Sequence, residues 1–265
     1  MRPFFSQEHP IAMSHRGGAQ VWPENTMQAF GQSHDLGYRF FETDLHLSRD
    51  GVVVLMHDHT LERTTDGGGN VWDRTVSELR ELDAGYWFRP EDGYPFRGNG
   101  MKIPTLEELL TTLTDSFFTL EMKLSLAEPV DALLRRLDVW DRVVVAGYQD
   151  RWIRGFRRGT GGRVPTSAAR SEIAVFWAAS RLGRGLRLAA AALQVPPTHR
   201  GLRILDSGFV AAAHAVGKQV HAWTIDDPTE MDYLLDLGID GIMTDRPDLL
   251  KEVLMKRGKG GPWNG

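Results

Sequence analysis

The chain has 265 residues, 42% hydrophobic and 25% charged, with 28 glycines, 13 prolines and no cysteine. This composition excludes disordered, collagenous and disulfide-stapled proteins, and it leaves only oxygen and imidazole ligands for any metal. A formal net charge of −4 gives no global reason to expect a nucleic acid partner, and nothing points to an obligate protein partner.

Strand-like apolar runs fall near 11–15, 40–47, 52–57, 117–123, 143–147, 163–167, 191–195, 219–224 and 240–244. Helical features fill most of the gaps: Glu24 to Leu36, Thr105 to Leu113, Pro129 to Leu137, Glu172 to Leu182, Phe209 to Val216 and Pro228 to Leu237. Alternation on this scale predicts an α/β fold, a TIM-type (β/α)8 barrel, as a single domain over residues 1–265. The link Ser48-Arg49-Asp50-Gly51 is too short for a crossover helix and predicts a hairpin after the second strand. A turn centred on Arg49-Asp50 sets Glu42 opposite His57, and one centred on Asp50-Gly51 sets Asp44 there. Either register puts His57 on the face of both carboxylates.

The stretch from about 61 to 103, with Trp72, Tyr86, Trp87, Phe88, Tyr94 and Phe96, predicts an insertion over one end of the barrel. The tail Lys256 to Gly265, with four glycines and a proline, predicts a loosely held end. No apolar run reaches signal-peptide or membrane-spanning length, so the default expectation is a cytoplasmic protein.

Four clusters carry chemistry. Ser14-His15-Arg16-Gly17-Gly18 follows a strand and brings a cation and an imidazole to its C-terminal end, suited to binding and protonating a phosphate ester. Pro23-Glu24-Asn25-Thr26 opens the next helix, with Asn25 as candidate cap. In the second strand the period of two projects Glu42, Asp44 and His46 to one face, where two buried carboxylates require a cation or a proton between them. His57 closes the third run, with Asp58 aimed the other way if that strand continues. Glu121 and Lys123 share a face of another interior strand. The third carboxylate completes an all-oxygen site for one divalent cation, Mg²⁺ or Ca²⁺, and Lys123 is set to meet a phosphate oxygen.

In order, HRGG at 15–18, PENT at 23–26, E-T-D at 42–44, HD at 57–58, LERTTDG at 61–67, IPTLEELL at 103–110, E-M-K at 121–123, AWTI at 222–225 and DGIMTDRP at 240–247 resemble the glycerophosphodiester phosphodiesterase family. The match runs from His15 to Pro247 and is thinnest over 150–203. The resemblance implies a TIM-type barrel and metal-assisted hydrolysis of a glycerophosphodiester to glycerol 3-phosphate and an alcohol. It assigns Glu42, Asp44 and Glu121 to the cation, His15 and His57 to acid/base catalysis, and Arg16 and Lys123 to the phosphate. Which histidine is the acid stays open, as does whether water or a substrate hydroxyl attacks. Trp223 is a candidate apolar wall for the glycerol or alcohol, and His46 is expected beside the site without being a ligand.

Two other readings compete. A lysophospholipase D would use Trp87, Phe88, Tyr94 and Phe96, together with a basic amphipathic segment over 168–192 that makes peripheral membrane contact. A non-catalytic phosphate-ester binding barrel would not need two histidines beside three acids.

Overall fold

The computed structural model describes residues 3–6 and 10–258. In chain order, β1 (Ile11–His15), α1 (Met27–Asp35), β2 (Phe40–Leu47) and its return strand β3 (Val53–Leu55) come first. Next are α2 (Val76–Arg80), α3 (Leu106–Thr112), β4 (Phe117–Met122), α4 (Ala127–Leu137), β5 (Val143–Gly147), α5 (Asp150–Gly159) and α6 (Arg170–Ser180). The chain continues through β6 (Ala192–Val195), the small hairpin β7 (Thr198–His199) and β8 (Leu202–Arg203), α7 (Ser207–His214), β9 (Gln219–Ala222), α8 (Pro228–Asp236), β10 (Gly241–Thr244) and α9 (Pro247–Lys256).

The strands run in the order β5-β4-β2-β1-β10-β9-β6, all neighbours parallel, with β3 antiparallel on β2. The run at 163–167, expected as a full strand, closes the barrel through single bridges, Val145 to Thr166 and Ser167 to Ala192. Pro165 explains the shortfall: it has no N–H to donate and contributes only its carbonyl, which accepts from Val145 N at 2.9 Å. The result is the (β/α)8 barrel that the alternation predicted. Helices α5 and α9 were not anticipated. Ile153 and Phe156 anchor α5 in an arginine-rich sequence, while α9 starts on Pro247 and buries Leu250, Val253 and Leu254.

The hairpin register differs from both expectations. Leu45 faces Leu55 and Leu47 faces Val53, because the loop runs from Ser48 to Val52 and is closed by Ser48 N donating to Val52 O at 2.9 Å. Continued in this register, the strand would carry His57 to the outer face, opposite Thr43. Instead the ladder ends at Leu55 and the chain turns away after Met56, which frees His57 for the barrel mouth.

The interior is layered. Phe4, Ile11, Met13, Phe40, Val144 and Met243 fill the N-terminal end, and the larger core lies between the sheet and the helices. The excursion at 61–103 has its own small core of Val54, Met56, Leu61, Val71, Leu79, Ala84, Met101 and Ile103. Its Tyr86, Trp87 and Tyr94 gather around the Arg97 guanidinium. Lys256 ends α9, and 259–265 of the expected loose tail lie outside the described residues. Among the described residues, no helix is long and apolar enough to cross a membrane.

Candidate active site

β1 delivers His15 to the C-terminal rim, and Arg16, Gly17 and Gly18 follow with φ of 52°, 84° and 97°. At Gly17 a Cβ would sit 2.7 Å from Ala29 Cβ and 2.9 Å from the α1 backbone, so glycine alone allows this left-handed turn against the helix. The turn folds Arg16 back over the barrel, where its Nε lies 2.9 Å from Asp44 Oδ2 and its Nη1 3.2 Å from Glu24 Oε1. Asn25 is not the cap of α1. That role falls to Thr26, whose hydroxyl accepts from Ala29 N, and Asn25 instead donates to Asp44 Oδ2 at 3.0 Å.

Above the apolar layer the interior becomes charged. The registers pair His15 with Glu42 and Asp44 with Glu121, so one carboxylate oxygen from each of Glu42, Asp44 and Glu121 lies within 4.8 Å of the others. Lys123 Nζ is 2.9 Å from Asp44 and 2.7 Å from Glu121. Burial alone would raise Asp44, but Arg16 and Lys123 hold it well below the usual carboxylate range. Glu42 is pushed up to about 8, first by burial and then by the charge of Asp44. Its Oε2 is buried and, among the described residues, receives no hydrogen bond. An all-oxygen donor set with an unsatisfied buried lone pair fits a hard divalent cation.

The two histidines share one device. His15 Nδ1 is 2.7 Å from Asp245 Oδ1, and His57 Nδ1 is 2.6 Å from Asp58 Oδ1. An ionised carboxylate there accepts a hydrogen bond from Nδ1–H and leaves Nε2 as the reactive nitrogen. For His15 that nitrogen lies 3.5 Å from Glu42 Oε2. Burial lowers the His15 pKa, but the charge of Glu42 and the bond to Asp245 outweigh it, and the net shift is upward. Asp58, expected to point away, bonds His57 because the strand has already ended. Arg63 joins Asp58 to Glu24, tying the loop of His57 to the loop of Arg16.

His15, Arg16, Glu42, His57, Glu121 and Lys123 line one cleft of about 900 Å³, and Trp223 lines its wall, 42% exposed. None of the aromatics of 61–103 lines it. The far lining comes from α6 and from the turn at β7 and β8, the part of the sequence with the thinnest family signal. His46 is buried against His59, with ring centroids 5.1 Å apart, and is not in the carboxylate cluster. The sequence reading missed Asp245, Glu24, Asn25 and Arg63 as site residues. For Asp245 the signal was a carboxylate ending a strand, informative only once β10 is known to lie beside β1.

The fold and site define a barrel with a three-carboxylate cluster and two carboxylate-bonded histidines on one cleft. The profile of the Glycerophosphoryl diester phosphodiesterase family matches residues 15–249, and the chain belongs to that family; it is a phosphoric diester hydrolase. A probable glycerophosphodiester phosphodiesterase 2 of Mycobacterium tuberculosis is 35% identical over 263 residues, 96% of this chain and 93% of that protein. Among solved structures, a phosphodiesterase of Oleispira antarctica in complex with the product sn-glycerol-3-phosphate superposes with a TM-score of 0.75 at 26% identity, covering 93% of this chain and 97% of that one. A glycerophosphodiester phosphodiesterase of Agrobacterium tumefaciens gives 0.74 at 27% identity, covering 91% and 98%.

Proposed function

We propose that this chain hydrolyses glycerophosphodiesters to glycerol 3-phosphate and an alcohol, with Glu42, Asp44 and Glu121 holding one divalent cation. The observation that carries the reading is the pair of Nδ1-anchored histidines on the same cleft as the three-carboxylate cluster. A cation bound there supplies positive charge to the non-bridging phosphate oxygens. Arg16 and Lys123 add theirs, and both stay protonated because Asp44 and its neighbours outweigh the cost of their burial. One histidine takes a proton from the attacking hydroxyl at Nε2, and the other gives one to the departing alkoxide. Asp245 and Asp58 keep the rings in the tautomer each task requires.

The test measures glycerol 3-phosphate release from glycerophosphocholine with Mg²⁺ or Ca²⁺ and with chelator, for wild type, His15→Ala and His57→Ala. A parallel assay uses a diester with a nitrophenolate leaving group. Both variants lose glycerophosphocholine turnover, and the one lacking the general acid recovers on the activated substrate, because that leaving group needs no proton. Full activity in chelator, or in either variant, removes the proposed roles.

A further inference from the structure

Thr119 precedes Glu121 by two positions and shares its face of β4. Gln194 of β6 reaches it across the barrel interior, and His221 is the register neighbour of Gln194 on β9. Gln194, Thr119 and His221 are 8%, 2% and 0% exposed, and the first two line the cleft. Positions that served packing alone would be apolar, because an amide or a hydroxyl out of water costs free energy unless its hydrogen bonds are made.

The bonds fix which way each group faces. Gln219 Nε2 donates to the backbone carbonyl of Phe5 at 3.2 Å. A carbonyl can only accept, so Gln219 turns its Oε1 to His221, whose Nε2 donates to it at 3.1 Å. Burial keeps this ring neutral, lowering its pKa to about 4, so Nδ1 is bare and accepts. Gln194 therefore presents Nε2 to it at 3.4 Å, and the same nitrogen donates to Thr119 Oγ1 at 3.0 Å. Two capacities are left over. Gln194 Oε1 receives no hydrogen bond among the described residues, and the hydroxyl proton of Thr119 is donated to none of them. The network is closed within the protein and open only where it meets the cleft, with one acceptor and one donor on groups bonded to each other. A hydroxyl, which both donates and accepts, is their complement.

We propose that Gln194 and Thr119 form a subsite that reads a free hydroxyl of the substrate's glycerol, Gln194 Oε1 accepting from it and the Thr119 hydroxyl donating to it. The inference rests on the reading of the charged end as the diester site and adds the residues that select the substrate there. Glycerol carries free hydroxyls in every glycerophosphodiester, whereas an alcohol such as choline has none left once esterified. A deoxy substrate would leave both protein groups unpaired.

The experiment compares kcat/KM for glycerophosphocholine and for its 1-deoxy and 2-deoxy analogues, using cation-loaded wild type, Gln194→Met and Thr119→Val. Wild type loses about 10–100-fold on the analogue that lacks the hydroxyl being read. Gln194→Met, similar in size and unable to accept, loses a similar factor on glycerophosphocholine and separates it from that analogue by about twofold or less. Thr119→Val narrows the preference in the same way, and Thr119→Ser restores it. If Gln194→Met shows no thermal transition, the two Thr119 variants carry the test. No preference in wild type overturns the inference. So does a penalty of equal size in wild type and variants, because the hydroxyl then serves another step, such as attack on phosphorus; either result leaves the diester reading standing. If wild type turns over none of the three, that reading fails, and the rise in Tm with glycerol 3-phosphate against propyl phosphate decides the subsite. A larger rise with glycerol 3-phosphate that the variants equalise supports it, and equal rises in wild type remove it.

Discussion

The two ends of the cleft are built on opposite principles. β1, β2 and β4 crowd Glu42, Asp44, Glu121, His15, Arg16 and Lys123 into and around the barrel mouth. On the other side, α6 and the β7–β8 hairpin offer the same space aliphatic and aromatic carbon. The charged end is costly to the fold: a fully buried Asp44 and a nearly buried Glu42 repel each other, and Arg16 and Lys123 compensate only Asp44 well. The apolar end leaves hydrophobic surface in water. Each end gives up stability, the first as like charge held out of water and the second as apolar surface left in it.

Changes at the charged end have the largest expected effects. His15→Ala and His57→Ala lower kcat by about 10²–10⁴-fold while the rise in Tm on adding cation persists, because neither side chain belongs to the carboxylate cluster. A variant that also loses the cation response would show that histidine to be a ligand. Asp245→Asn costs about 10–100-fold in kcat and moves the pH dependence contributed by His15 to lower pH, since the Asp245 bond is one of the causes that raise it. A pH–rate profile at saturating substrate reads this shift.

Glu42→Gln separates function from stability. It removes a carboxylate that burial and Asp44 oppose, so the metal-free variant gains about 1–2 kcal/mol, or roughly 2–6 °C in Tm, and loses the Tm rise with Mg²⁺ or Ca²⁺. A variant less stable than wild type without cation would mean that Glu42 serves the fold.

The last effect lies beneath both ends and bears on stability. His221 is fully buried, and burial lowers its pKa from 6.5 to about 4. The unfolded chain therefore binds the proton first. The contribution is complete above pH 6.5 and is lost as pH falls towards 4, by at most roughly 3 kcal/mol. Urea midpoints of wild type and His221→Gln should converge across that window, and a constant difference would contradict the assignment.

The charged end was legible in the sequence, and the apolar end only as an amphipathic segment over 168–192 whose place on the cleft it did not show. Carboxylates at every second position of an apolar strand have no packing explanation, so Glu42 and Asp44 declare themselves, and Glu121 follows on the next interior strand. Ala174, Trp177 and Ala178 read like any helix that buries one face, and only the cleft shows which face was left uncovered. His57 reached its place for a reason the pairing argument did not contain: the ladder stops at Leu55, so strand parity no longer governs it. Asp245 stayed hidden because its partner is 230 residues away. The strand at 163–167 was misjudged on apolar content where the missing N–H of Pro165 decides.

The central claim is that three carboxylates and two oriented histidines act together on a phosphodiester. Glycerol 3-phosphate release from glycerophosphocholine, assayed on wild type and Glu42→Gln with cation and then with chelator, tests it most directly. The account predicts turnover by wild type that chelator abolishes and added cation restores, and none by the variant. Turnover that survives both chelation and the loss of Glu42 would contradict it.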